Sequence, residues 1–156
     1  LHATITHKNY VLVHGGFAAD REVLAADMLG EALRACYFND MRLLDLKAHC
    51  WHRFNNISGQ PFAPRFGHTM NFYRKHLLLL GGWSAQGEGK KQPTAAANTR
   101  ALNFAAHAWE VPLFAQPPPM NRYGHSSTSV RGSVIVFGGW EFNRSTNDLL
   151  VLKRAD

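Results

Sequence analysis

The chain has 156 residues, 46% of them hydrophobic and only 18% charged, a globular rather than a disordered composition that allows one ordinary domain with a sizeable core. No apolar run approaches the roughly 20 residues that cross a bilayer as a helix, so no membrane partner is expected. The net charge is +6, yet Lys and Arg number six in residues 1–60, six in 61–120 and five in 121–156; this even spread argues against one phosphate-binding patch and makes nucleic acid a weak candidate partner.

In chain order, strands are expected at about 2–7 and 10–15. The second holds Tyr10-Val11-Leu12-Val13 and ends in Gly15-Gly16, with the aromatic Phe17 next. Asp20 can cap a helix over residues 21–36, with Leu24, Met28, Leu29 and Leu33 on one apolar side. Gly30 would cost that helix about 1 kcal/mol. Two more strands follow at 41–46 and 51–54, the last carrying Trp51. The two cysteines, Cys36 and Cys50, form no CxxC pair and no zinc pattern. They read as free thiols of a reducing compartment, so an intracellular, cytoplasmic location is expected.

The next stretch repeats the first. Arg65-Phe66-Gly67-His68 leads into a strand at 67–73, Arg74-Lys75 turns the chain, and Leu77-Leu78-Leu79-Leu80 fills a strand at 76–81. Four successive leucines fit a strand buried on both faces rather than an alternating one. Gly81-Gly82 and Trp83 follow. The loop beyond contains Gly87-Glu88-Gly89-Lys90-Lys91, whose glycines and lysines predict a mobile, solvated segment. Gln92 after Lys91 rules out a phosphate-binding P-loop. Strands at 99–104 and 109–113 close the unit, with Trp109 in the last, and Pro117-Pro118-Pro119 reads as a stiff spacer.

A third copy opens with Arg122-Tyr123-Gly124-His125. It continues through strands at 124–130 and 133–138, turned at Arg131-Gly132, to Gly138-Gly139 and Trp140. A strand at 149–153 follows, with no tryptophan after it. The marks keep register: His2, His68 and His125 each lie 13 residues before the first glycine of a pair, and Trp51 and Trp109 each lie six residues after Asp45 and Asn103. One Gly-Gly pair would mean nothing; three marks in one order at constant spacing define a repeat.

This unit resembles the kelch motif: a basic residue and Gly-His, a strand, a hydrophobic strand closed by Gly-Gly, a third strand and a tryptophan. The tyrosine common in the family's third strand is absent here. The resemblance implies an all-β fold, a β-propeller segment of about three four-stranded antiparallel blades, part of a larger ring. The blades fall at about 1–60, 61–118 and 119–156, the third lacking its outer strand. A propeller has about four to eight blades, and three leave open edges. The remaining blades are therefore expected from the same or another chain. In the repeat, His68 and His125 are expected to make local turn hydrogen bonds. The tryptophans are expected to wedge between blades, so that truncating either costs about 3–5 kcal/mol if it is buried.

The resemblance also implies a function, a non-enzymatic protein–protein interaction module or scaffold. The partner is expected to be a protein offering a peptide or an acidic surface. Arg65 and Arg122 are expected at the central mouth, unless they bond backbone carbonyls between blades. Trp83 follows the second Gly-Gly pair, and Trp140, Phe142 and Arg144 form an aromatic and basic loop after the third; together these six residues are the candidate partner face. A structural subunit of a large ribonucleoprotein or cytoskeletal assembly is the alternative. Some kelch propellers are copper oxidases or iron-dependent lyases, so a fragment of such an enzyme is a third reading. The lyase pattern of spaced Glu, Asp and His does not follow Glu22 and Asp27. His49 and His52, three apart on a strand, would point to opposite faces. No cofactor, metal set or catalytic residue is expected.

Overall fold

The computed structural model describes residues 2–19, 35–84, 99–114, 121–141 and 143–153. Every element among them is a β-strand, in three antiparallel sheets. The first sheet runs β1 (Ala3–His7), β2 (Tyr10–Ala19), β3 (Ala35–Asp45) and β4 (Cys50–Arg53). The second runs β5 (Thr69–Tyr73), β6 (His76–Leu80), β7 (Thr99–Asn103) and β8 (Ala108–Glu110). The third has a short β9 (Arg122–Tyr123) and β10 (Ser126–Val130), both on β11 (Ser133–Glu141), which pairs in turn with β12 (Arg144–Leu152). These are the expected all-β blades.

The four leucines explain the stacking. Leu77 and Leu79 enter a core shared with Ala3, Leu12 and Met41 of the first blade. Leu78 and Leu80 enter a second core with Val134, Val136 and Leu152 of the third. Successive side chains of a strand point to opposite faces, so a strand with a blade on either side is apolar at every position. Burying each leucine contributes about 1.5–3 kcal/mol, and the middle blade ties the other two together.

Four details depart from expectation. The double glycine closes a strand only in the second blade, where β6 stops at Leu80. In the first and third the ladder shifts register at the glycines and resumes, to Ala19 and Glu141. The extra residue is a bulge of the partner strand, where Asn39-Asp40 face Gly15 and Asn147-Asp148 face Gly138, and the left-handed φ of those glycines (63° and 64°) lets the pairing resume beyond it. Residues 35 and 36, the end of the expected helix, belong to β3. The rest of that segment, the 85–98 loop, the three prolines and Phe142 lie outside the described residues.

The third departure is at the histidines, which bond across blades rather than locally. His68 meets His14 and His125 meets Thr69, each in the preceding blade. The fourth is at the tryptophans. Trp109 is 8% exposed and packs in the core between the first two blades, whereas Trp51 is 59% exposed. His52 lies opposite Leu43, which packs toward the second blade. Trp51, next along the strand, faces the other way, onto the blade's outer side, where no described residue covers it.

Candidate partner-binding surface

The double glycines build the junction between blades. Gly16 N–H donates to the Arg65 carbonyl (2.9 Å) and Gly82 N–H to the Arg122 carbonyl (2.8 Å), one blade on. The following histidine ring lies over the glycine of the preceding blade. A Cβ on Gly81, already at φ 64°, would run into the Arg122 carbonyl oxygen and the His125 ring. Only glycine fits both the conformation and the approach.

Each arginine then locks its own blade. Arg65 Nη1 donates to the Gly81 carbonyl at 2.7 Å and Nε to that of Ala63 at 2.9 Å, with the guanidinium 3.3 Å over the Phe62 ring centre. Arg122 Nη1 donates to the Gly138 carbonyl at 3.1 Å, and the guanidinium grips Asp148 through two bonds of 2.8 and 3.1 Å. Arg65 and Arg122 are only 2% and 3% exposed. Burial, and then the Arg100 charge, pulls Arg65 down to about 9, leaving it a cation at neutral pH. The Arg122 hydrogen bond holds Asp148 below the usual carboxylate range. Both guanidiniums are thus enclosed by the chain's own carbonyls and, for Arg122, a carboxylate.

Three buried imidazoles lie along the same junctions. His14 Nδ1 and His68 Nε2 are 3.0 Å apart. Burial, then the Arg65 charge, lowers His14 to about 4. Burial, then His14 and Arg65, holds His68 well below its ordinary value. Burial, then Arg122, lowers His125 to about 4. All three are neutral at pH 7 and serve the interior.

The other candidates stand at the surface of the Gly-Gly end. Trp83 is half-buried; its backbone pairs with Phe66 through bonds of 3.0 and 2.8 Å, and its ring packs edge-on to Tyr123 at 5.5 Å. Trp140 is 48% exposed, and beside it Arg144 reaches Glu141 at 3.3 Å.

The structure adds residues that the sequence reading did not single out. Tyr37 stacks on Phe66 at 5.8 Å, Phe17 contacts both at 5.5 Å, and Phe66 meets Tyr123 at 6.1 Å. With Trp83 they form a continuous half-buried aromatic row across all three blades. The signal was present: an aromatic stands between arginine and Gly-His in Phe66 and Tyr123, and another follows each Gly-Gly. Each ring is set by its own blade's latch, and its neighbour comes from the next blade. Trp140 is the same position of the third blade.

Among the described residues no group of three or more His, Cys, Asp or Glu side chains is placed to hold a metal ion. Cys50 and His52 approach to 3.1 Å on β4, while His49 sits in the turn before it.

Residues 121–153 match the Kelch motif. The chain is 29% identical over 126 residues to acyl-CoA-binding domain-containing protein 4 of Arabidopsis thaliana, covering 74% of this chain and 18% of that protein. The same figures hold for acyl-CoA-binding domain-containing protein 5 of that plant. Identity to tip elongation aberrant protein 1 of Schizosaccharomyces pombe is 25% over 152 residues, covering 95% of this chain and 12% of that protein. The chain thus spans less than a fifth of the length of these relatives. The marks of the matched third blade recur in register in the other two, and the same glycine latch joins them: the three sheets are built as kelch-type blades of a β-propeller segment.

Proposed function

We propose that the chain is a non-enzymatic interaction module that receives a protein partner at its Gly-Gly end. The observation that carries this reading is the aromatic row, with the half-exposed Trp140 paired across the strands from its Tyr123. Large rings held by a rigid sheet lose little freedom on binding, and Trp, Tyr and Arg dominate the energetics of interfaces. Arg144 adds a cation beside Trp140 for a carboxylate on the partner. Arg65 and Arg122 serve this surface from below, by fixing the glycine loops that present the rings. Their loss would disorder the blades rather than remove a contact.

The test is a quantitative comparison of partner capture by the wild type, Trp140→Ala, Arg144→Ala and Arg122→Ala, each with its melting curve. Trp140→Ala is expected to weaken capture by at least about tenfold, as an interface hot spot does, with Tm nearly unchanged. Arg122→Ala is expected to lower Tm. Full capture by Trp140→Ala, or its unfolding, would sink the assignment.

A further inference from the structure

The opposite end of the blades carries a second pattern. The inner hairpins β1–β2, β5–β6 and β10–β11 turn there through Lys8-Asn9, Arg74-Lys75 and Arg131-Gly132. The first turn residue is a cation in all three, and each is left-handed, with φ of 53°, 56° and 45° for Lys8, Arg74 and Arg131. Asn or Gly suits that conformation better than a long side chain does. Three equivalent turns thus hold a cation where local structure asks for something else.

More positive charge gathers at this end. Leu46 N–H donates to the Asn9 carbonyl at 2.8 Å, which brings the Lys47 turn beside the Lys8 turn. The acids nearby are engaged elsewhere. Asp45 accepts from the Lys47 and Ala48 amides, and Glu110 from Asn103, with His76 at 3.4 Å. No ion pair to Lys8, Arg74, Lys75 or Arg131 occurs among the described residues.

Between the first two blades, at this same end, lies a groove of about 400 Å³. Phe54, Phe72 and Phe104 line it, with Arg74, Lys75 and His7 also on its walls. Phe72 stacks on Phe104 at 6.1 Å and Phe54 meets Phe104 edge-on at 6.0 Å. The rings pack on one another to make an apolar slot, not a row of open platforms for bases.

The geometry points to a second docking site here, for an acidic peptide segment. It seats one large apolar side chain in the phenylalanine groove and lays its carboxylates along Lys8, Arg74, Lys75 and Arg131. The slot fits the lower range of binding pockets in size, and these cations, none in an ion pair among the described residues and Arg74 resting only on the Tyr73 ring at 5.9 Å, supply the complementary charge. This site stands apart from the Gly-Gly end and does not depend on it.

The test titrates the full chain into a labelled acidic peptide with one central phenylalanine. The comparison probes are the same peptide with that residue changed to serine, and a single-stranded oligonucleotide. Saturable binding is expected, weakened by salt and by the serine change. In the triple variant Lys8→Asn, Arg74→Asn, Arg131→Asn, affinity is expected to fall by about tenfold or more. Its Tm should hold or rise, because Asn tolerates the left-handed turn. Trp140→Ala should leave this binding unchanged. No saturable binding, equal binding of the serine peptide, preference for the oligonucleotide, or full affinity in the triple variant would each overturn the site.

Discussion

His14 stands directly before a double glycine, where the other two repeats have Leu80 and Phe137. His14 and His68, both neutral, share one bond, so one ring proton sits on a buried nitrogen with no hydrogen-bond partner among the described residues, Nδ1 of His68 when His14 donates and Nε2 of His14 when His68 does. The unfolded chain binds protons at the ordinary histidine value of 6.5, while folded His14 and His125 do so only near 4. Stability is therefore full above pH 6.5 and falls as pH drops toward 4, because the unfolded state takes up the protons. Each of these two histidines should cost about 2 kcal/mol by pH 5. Thermal melts from pH 7.5 to 4.5 check this: Tm should be flat at the top and fall below 6.5, and less steeply in His14→Leu. A flat profile throughout would mean that these rings are not buried as described. The spacing of 13 made His68 and His125 legible as marks, but not their bonds. Their partners lie 54 and 56 residues away in another blade, and spacing within one repeat says nothing of that.

At the scale of the strand, the leucine run was the most informative stretch. Its lack of alternation announced burial on both faces, and the two cores divide it as that pattern requires. The tryptophans were less legible, because a repeat mark states where a side chain points and not what covers it. Trp109 and Trp51 hold the same register, opposite Leu102 and Leu44, yet only Trp109 has a neighbouring blade against its face. Trp109→Ala should cost about 3–5 kcal/mol. Trp51→Ala should change stability by no more than about 0.5 kcal/mol. Urea unfolding of the two variants measures the difference, and equal losses would show that Trp51 is packed as Trp109 is. The bulges of the first and third blades were not legible either. A Gly-Gly pair signals left-handed backbone, and whether pairing resumes beyond it depends on the partner strand.

For the whole molecule, the even spread of charge along the chain was misleading in one respect. A repeat that places a cation at the same turn of each blade spreads charge in sequence and gathers it in space. The two ends of the blades are thereby different surfaces. One is aromatic, with Arg65 and Arg122 buried against the Gly81 and Gly138 carbonyls. The other is cationic around an apolar slot. Candidate residues named from the Gly-Gly marks alone belonged to the first end, and they divide into supports (Arg65, Arg122) and surface groups (Trp83, Trp140, Arg144). If the aromatic end receives the protein partner, amide hydrogen exchange of the chain with its captured partner slows at residues 81–84 and 139–145, with Tyr37 and Phe66 following and the Lys8, Arg74 and Arg131 turns unchanged. Protection confined to those turns, or to the outer faces around Trp51 and Phe137, would put the partner elsewhere.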